Sequence, residues 1–319
     1  MVQTRKLDLT SVEVLTLIYI LITTVMIAVY WNGLTNPVGM IGLRLLAIGI
    51  MIVTNLTTRH WALIRQNPRC MLALRSLPVM ALLIWWYPET YDFCSQLPYK
   101  DHIFAAIDQR LFGCQPSMEF ERMLPQTLWS EAFNMGYYAY YYMMGAVIIY
   151  YLVKKTAEYD RATFIFLGSF FIFYLVFEFL PVAGPQFYFK ALQDIYGTEG
   201  IPDNVFPDIG NYFRTHEAMM LPEVKGIFSQ LVISAQEFGE HPTAAFPSSH
   251  VGMSTVTMLL AWRSGNRLLF LILLPFYVLL CCATVYIRAH YLIDSICGLA
   301  FAVLCFYLTD WIYQHRSVR

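Results

Sequence analysis

Eight long apolar segments divide the chain and constrain its fold more than any other feature of the sequence. They lie at roughly 11–31, 38–56, 70–87, 129–153, 162–182, 245–262, 267–287 and 291–313. A helix needs about 20 mostly apolar residues to cross the hydrocarbon of a bilayer, and these segments have close to that length. We therefore predict an all-α integral membrane protein with about eight transmembrane helices.

The composition supports a membrane protein and argues against a nucleic-acid-binding one. Of 319 residues, 58% are apolar and 13% are charged, the latter about half the share of a typical soluble domain. A net charge of −1 gives no basic field to attract nucleic acid. The opening sequence MVQTRKLDLT lacks the cleavage pattern of a signal peptide, so we expect the first apolar segment to be retained.

Lys and Arg residues predict the orientation in the membrane. They concentrate at both ends of the chain and in every second link: Arg5, Lys6, Arg59, Arg65, Arg69, Lys154, Lys155, Arg161, Arg263, Arg267, Arg316 and Arg319. By the positive-inside rule, both termini are predicted to be cytoplasmic. The long links 88–128 and 183–244 then lie outside, and links of such length are usually functional. Arg44 and Arg75 fall inside apolar segments, from which long Arg stems can reach the headgroups.

The first outer link contains a predicted amphipathic helix. Its apolar residues recur at helical spacing among charges: Ile103, Phe104, Ile107, Leu111 and Phe112. Such a helix either lies on the membrane surface or packs against a small core of the loop itself, and the sequence supports both interpretations. Cys94 and Cys114 lie in the same link, where a disulfide is chemically allowed, although spacing alone does not fix a bridge.

Three polar clusters stand at the outer ends of apolar segments. They are PVAGPQFYF at 181–189, AAFPSSHVG at 244–252 and YIRAHYLID at 286–294. The clusters are far apart in sequence, yet the orientation derived from Lys and Arg places all three on the same membrane face. We therefore expect them to contribute to one site.

His290 and Asp294 form the first candidate catalytic pair. Their i,i+4 spacing predicts that both side chains project from one face of a helix. A carboxylate so placed accepts the Nδ1–H of the imidazole, fixes its tautomer and leaves Nε2 free and more nucleophilic. A structural pair that closes a helix end is the alternative, and the presence of His250 favours the functional interpretation.

The PSSH sequence at 247–250 is the second candidate element. Pro247 suits the first turn of a helix, and the free N–H groups of that turn form an anion site suited to phosphate. His250 is placed to give a proton to a leaving oxygen. For Ser248 alone, an ordinary N-cap is the simpler interpretation.

PSSH followed about forty residues later by HYLID resembles the type-2 phosphatidic acid phosphatase superfamily. The superfamily pattern ends in a Pro-Ser-Gly-His box and a His-x-x-x-Asp box. The resemblance implies that His290 is the nucleophile, Asp294 its partner and His250 the acid/base, with no metal and no cofactor. It covers roughly 160–313 and implies a six-helix catalytic core within 70–319, preceded by two transmembrane helices in 1–69.

The chain departs from the superfamily pattern at its cationic positions. Thr284 stands where the pattern has an Arg six residues before the nucleophilic His, and the first box is matched only at Gly184–Pro185, without its Lys and Arg. Phosphoryl transfer still needs donors for the phosphate oxygens. The predicted phosphate-binding residues are Arg288, Ser248, Ser249, Lys190 and Arg214. Lys190 and Arg214 also suit solvated loop charges.

GPQFYF, PSSH, HYLID and the loop sequence IDQRLFGCQPS look like the branch of inositol phosphorylceramide synthases and sphingomyelin synthases. That resemblance implies transfer of an inositol-phosphate-like headgroup from a donor phospholipid to a lipid hydroxyl such as that of ceramide or diacylglycerol. Gly184, Pro185, Tyr188 and Tyr286 are then candidates to line the substrate cavity. Both tyrosines also suit an interfacial aromatic belt.

Three other functions compete with this one. A lipid phosphatase acting on a phosphomonoester or pyrophosphate lipid uses the same catalytic residues, and only water exclusion and acceptor access separate the two reactions. A proton-coupled transporter predicts ionisable residues near mid-bilayer on several spans, whereas these lie at span ends. A bis-histidine haem protein gives no role to the HxxxD spacing or the PSSH box.

Overall fold

The computed structural model describes residues 9–197 and 204–316, so Arg5, Lys6 and Arg319 lie outside the described residues. Within those ranges the regular structure is entirely helical. The α-helices are α1 (Ser11–Tyr30), α2 (Pro37–His60), α3 (Ala62–Arg65), α4 (Pro68–Ala81), α5 (Leu83–Cys94), α6 (Asp101–Phe112), α7 (Pro116–Met123), α8 (Thr127–Tyr138), α9 (Tyr140–Lys154), α10 (Tyr159–Phe179), α11 (Pro185–Tyr196), α12 (Ile227–Gly239), α13 (Ser249–Arg263), α14 (Arg267–Tyr286) and α15 (Leu292–Arg316). The prediction of an all-α protein is confirmed.

Six stretches in the described part of the chain are long and apolar enough to cross a membrane. They are Ser11–Tyr30, Pro37–His60, Pro68–Cys94, Thr156–Phe179, Arg267–Tyr286 and Leu292–Arg316. The fourth apolar segment of the sequence is divided into α8 and α9 at Ala139, and the sixth forms the 15-residue α13. The protein is therefore a multi-pass membrane protein by these criteria, and the count of eight spans stays a prediction.

Helix α13 lies inside the bundle, and the PSSH sequence stands at its start. It packs against α10, α14 and α15. Gly298 lets α15 lie close to the start of α13, because a Cβ there would lie 2.5 Å from the carbonyl oxygen of Ser248. Since α13 begins at Ser249, α14 ends at Tyr286 and α15 begins at Leu292, this packing places their polar ends together.

The two arginines within apolar segments are buried in ion pairs. Arg44 donates two hydrogen bonds to the carboxylate of Glu89, at 3.1 and 2.9 Å. Arg75 Nε donates to Glu13 Oε1 at 3.0 Å. Because buried charges are stable only when paired and hydrogen-bonded, these contacts, rather than lipid headgroups, account for both guanidinium groups.

Helix α6 of the first outer link packs onto the ends of the bundle. Phe104 and Ala105 lie in a buried cluster with Val182, Ala245 and Tyr291. On its other side Ile103 and Leu111 are exposed. One face of this amphipathic helix is therefore packed against the protein, and the opposite face is exposed. Cys94 and Cys114 are free thiols, without a disulfide between them.

Candidate active site

Backbone hydrogen bonds join the three polar clusters of the sequence. Ala245 N donates to Val182 O, Gln186 N to Arg288 O and Ser248 N to Asp294 O, each at 3.0 Å. Each cluster is thus bonded to the other two. The arrangement brings the candidate catalytic residues of 244–252 and 286–294 to one place beside the 181–189 segment.

His290 lies in the turn between α14 and α15 with its tautomer fixed. Its Nδ1 is 2.8 Å from the carbonyl oxygen of Ala245. A carbonyl oxygen only accepts hydrogen bonds, so Nδ1 carries the proton and Nε2 keeps its lone pair. Burial lowers the pKa of His290 to about 4, and the bond to Ala245 opposes that shift. The side chain is therefore neutral near pH 7, with a nucleophilic nitrogen.

Asp294 does not supply the hydrogen bond to His290 that the sequence predicts. Its Oδ2 is 3.9 Å from His290 Nδ1 and instead accepts the backbone N–H of Tyr291 at 2.9 Å. The helical-spacing argument fails because α15 begins at Leu292, so His290 lies outside the helix that carries Asp294.

His250 lies in the first turn of α13 and faces His290. The two imidazole centroids are 5.8 Å apart. The ring of His250 stacks on Tyr137 at 4.5 Å and contacts Tyr140 at 4.7 Å. Its Nδ1 is buried and has no hydrogen-bond partner among the described residues. The aromatic contacts fix the ring, while its nitrogens stay available for proton transfer.

The start of α13 is a capped helix N-terminus, which agrees with the simpler interpretation of Ser248. Ser248 is the N-cap, and its hydroxyl accepts the N–H of Val251 at 3.3 Å. The N–H groups of the first turn have no acceptor within the helix. Ser249 lies beside His250 in the wall of the cavity. These amides are suited to hold phosphoryl oxygens.

A small cavity of about 20 Å³ is lined by both histidines. Its lining residues are Tyr87, Tyr137, Ala183, Gln186, Phe187, Glu240, His241, Thr243, Ala244, Ala245, Ser249, His250, Ala289 and His290. Neither Lys nor Arg is among these lining residues of the described chain. The described residues also contain no group of three His, Cys, Asp or Glu side chains placed to hold a metal ion.

Gly184 shapes the loop that closes one side of the cavity. Its φ is +98°, and a Cβ at this position would lie 2.6 Å from the carbonyl oxygen of Ala289. Only glycine meets both conditions without strain. Pro185 then begins α11, where its missing N–H costs nothing. The Gly-Pro sequence thus sets the approach of this loop to the His290 turn.

The structure places the remaining predicted residues outside the cavity lining. Arg288 donates to Glu121 at 2.9 Å, Lys190 pairs with Asp194, and Arg214 is exposed. Tyr188 and Tyr286 are buried and donate to the carbonyl oxygens of Pro207 and Leu124, both at 2.9 Å. Their proposed roles in binding phosphate or substrate stay predictions.

Two aspartates of α6 hold the site together and were missed in the sequence. Asp101 accepts the N–H groups of Ala183 at 3.0 Å and Gly184 at 2.8 Å, and the hydroxyl of Tyr291 at 3.2 Å. Asp108 accepts the N–H groups that begin α15, from Leu292 at 2.9 Å and Ile293 at 3.0 Å. Their seven-residue spacing places both on one face of α6, and this spacing is the signal in the sequence that points to them.

Glu240 and Gln186 are the other residues that sequence reasoning missed. Both line the cavity, and Gln186 Nε2 donates to Glu240 Oε2 at 2.5 Å. Gln186 lies within the 181–189 cluster, whereas Glu240 follows α12 in the second outer link without a recognisable motif. The carboxylate of Glu240 therefore lines the cavity together with the two histidines.

Comparison with known proteins adds one finding. The model of the PAP2 superfamily matches residues 102–308, more than half of the chain. The matched range begins in α6 and includes both histidines and Asp294. Neither the search of curated proteins nor the search of solved structures gave a match.

Proposed function

Because the chain belongs to the PAP2 superfamily, whose members are phosphatases or phosphotransferases, we propose that it is a lipid phosphotransferase. It moves a phospho-headgroup from a donor phospholipid to the hydroxyl of an acceptor lipid such as ceramide or diacylglycerol. The intermediate is a phosphohistidine at His290. In this proposal the cavity faces the extracytoplasmic side, and both termini are cytoplasmic.

The observation that carries the proposal is the charge of the cavity wall. Both histidines face the cavity, yet among the described residues its lining holds a carboxylate and no Lys or Arg. A phosphomonoester carries about −1.5 to −2 charges at pH 7 and needs cationic donors. A phosphodiester carries a single negative charge, which helix amides and imidazoles are able to balance. The cavity therefore suits a phosphodiester donor better than a phosphomonoester.

In the first step His290 Nε2 attacks phosphorus in line with the bond to the diacylglycerol oxygen. The P–N bond forms as the P–O bond breaks, and His250, in its protonated form, gives its proton to the leaving oxygen. The amides at the start of α13 hold the phosphoryl oxygens. The carbonyl of Ala245, 2.8 Å from Nδ1, stabilises the positive charge that develops on His290.

In the second step the acceptor hydroxyl attacks the phosphohistidine. His250, now neutral, takes the hydroxyl proton as the new P–O bond forms and the P–N bond breaks. His290 returns to its neutral form with Nδ1–H still bonded to Ala245. Water in place of the acceptor gives hydrolysis by the same residues, so the outcome depends on the occupant of the cavity.

The test uses purified protein with phospholipids labelled in the headgroup phosphate, with and without ceramide or diacylglycerol. We expect label to move to the acceptor lipid, and His290→Ala and His250→Ala to lower the rate by at least about a thousandfold, as for other nucleophile and acid/base residues. His216→Ala is the matched control, because His216 is an exposed histidine of the second outer link.

Three results bear on the proposal separately. Release of phosphate from a monoester lipid, without transfer from any diester, identifies a phosphatase and overturns the transferase. Full activity in His290→Ala refutes the phosphohistidine. Transfer to an acceptor that is lost in His290→Ala and kept in His216→Ala supports both steps.

A further inference from the structure

Glu240 is held in the wall of the cavity by neutral donors. Its Oε2 accepts from Gln186 at 2.5 Å and from Gln236 at 3.4 Å. Its Oε1 accepts the hydroxyl of Tyr137 at 3.2 Å, and Tyr137 stacks on His250. The carboxylate is thus placed one side chain away from the acid/base histidine, and it is rigidly held.

This carboxylate has no cationic partner. Among the described residues, no Lys or Arg forms an ion pair with Glu240, and neighbouring His241 bonds to Glu217 at 2.8 Å. Burial raises the pKa of Glu240, whereas the bonds from Gln186, Tyr137 and Gln236 lower it. An ionised carboxylate that has no counterion and lines a cavity attracts a positive group that enters the cavity.

The surroundings of Glu240 also suit a positive group. Tyr87, Tyr137 and Phe187 line the same cavity. Aromatic faces attract ammonium groups, and the combination of rings with a carboxylate is typical of sites for quaternary and primary ammonium ligands. A carboxylate has about four lone-pair positions, and three donors occupy Glu240, which leaves one for a ligand.

We propose that Glu240 selects the donor lipid by charge, as the counterion of a positively charged headgroup attached to the phosphorus. This inference rests on the proposed transfer and names its donor class: phospholipids whose headgroup ends in an ammonium, in place of the inositol-phosphate-like headgroup that the resemblance in the sequence implies. The ammonium lies against Glu240 and the aromatic rings, while the phosphate lies between the histidines. A donor with an uncharged polyol headgroup leaves the carboxylate without a counterion and binds more weakly.

The test compares four donors in detergent micelles with one labelled acceptor lipid. Phosphatidylcholine and phosphatidylethanolamine carry the ammonium, whereas phosphatidylinositol and phosphatidylglycerol carry neutral polyols. Wild type is compared with Glu240→Gln, which keeps the shape and removes the charge. Glu223→Gln is the matched control, since Glu223 belongs to the same outer link and its side chain is 79% exposed.

We expect wild type to use the ammonium donors with a kcat/KM about tenfold or more above that of the polyol donors. Glu240→Gln removes most of this preference, because it raises KM for the ammonium donors and lowers KM for the polyol donors. Glu223→Gln keeps the wild-type preference. The preference of wild type alone tests the inference if Glu240→Gln fails to fold.

Equal or better transfer from phosphatidylinositol or phosphatidylglycerol by wild type overturns the role of Glu240 and leaves the phosphotransferase intact. An unchanged preference in folded Glu240→Gln overturns it as well. Absence of transfer from all four donors, with phosphate released from a monoester lipid, overturns the proposed function itself. The product formed therefore distinguishes the two failures.

Discussion

Replacing Asp101 with Asn tests whether α6 positions the catalytic turn. The carboxylate binds Ala183 and Gly184 on one motif segment and Tyr291 on another, and Tyr291 directly follows His290. Asn is nearly the same shape, and its oxygen still accepts from Gly184 and Tyr291 at the position of Oδ1. At the position of Oδ2 it presents an N–H group to the N–H of Ala183, so that one bond is lost.

The size of the effect follows from that single contact. A hydrogen bond to a charged group contributes about 1.5–3 kcal/mol, and a buried donor left without an acceptor costs a similar amount. If the loop shifts in the reacting complex, a loss of about 1.5–3 kcal/mol lowers kcat by roughly tenfold to a hundredfold. Because Asp101 touches no substrate in the proposed mechanism, we expect KM to change little.

The pH profile separates this positioning role from a general loss of stability. Burial raises the pKa of Asp101 to about 6, against the hydrogen bonds that lower it. As the pH falls through about 6, the carboxyl gains a proton and, like Asn, presents a donor to Ala183. Wild-type kcat should therefore fall toward that of Asp101→Asn near pH 5, while the variant shows no step at pH 6.

The assay is the transfer reaction measured from about pH 3.5 to 8, with the melting temperature of each variant recorded at about pH 7.5. Asp194→Asn is the control, since Asp194 is an exposed carboxylate on α11 paired with Lys190. Such surface pairs contribute about 0–1 kcal/mol. Folded Asp101→Asn with wild-type kcat and an unchanged low-pH arm would refute the reasoning.

Four further predictions concern the same site. Burial lowers the pKa of His290 to about 4, and protonation of His290 should remove activity. In Asp101→Asn, which lacks the step of Asp101 near pH 6, kcat/KM should therefore fall with a midpoint near pH 4, whereas a midpoint near 6.5 contradicts this. Gly184→Ala should abolish activity or folding, whereas Gly197→Ala, also at positive φ but with open space around its Cβ position, should keep activity. Asp108→Asn should lower the free energy of unfolding by about 1–2 kcal/mol, as for a lost helix cap, measured by thermal denaturation. Arg288→Gln should lower the melting temperature but keep kcat/KM within about threefold, because the Arg288 guanidinium binds Glu121. A loss of kcat/KM beyond about a hundredfold, the scale of a removed transition-state donor, would instead support the phosphate-binding role predicted from the sequence.

Much of the architecture could be predicted because membrane burial leaves a strong signal in the sequence. The apolar segments and the basic links gave the helical class and placed the three polar clusters at one face. The hydrogen bonds among residues 181–189, 244–252 and 286–294 bring those clusters together. The division of the fourth segment at Ala139 could not be read from hydropathy, because hydropathy averages over a window and does not detect a local break.

The contact of Asp294 shows why residue spacing alone misled. An i,i+4 pair lies on one helix face only when both residues belong to the helix. The backbone turns at Arg288, with φ +66°, and α15 begins after His290. The imidazole therefore points to Ala245 on another segment, and Asp294 binds the backbone of its own turn. The position at which α15 begins therefore determines which group bonds to His290 Nδ1. Sequence patterns locate such helix boundaries poorly.

The missed residues share a physical reason. Asp101 and Asp108 bind mainly backbone N–H groups, which every residue except proline possesses, so their partners leave no signature in the sequence. Glu240 binds side chains from three different helices or loops, and only the fold brings these together. Motifs thus pointed to the histidines that we propose to react with phosphorus, whereas the groups that hold the loops and the carboxylate of the cavity became visible only in three dimensions. In the proposed mechanism Glu240 selects the donor and Asp101 positions the turn that carries His290, so the choice of substrate is tested at Glu240 and the turnover rate at Asp101.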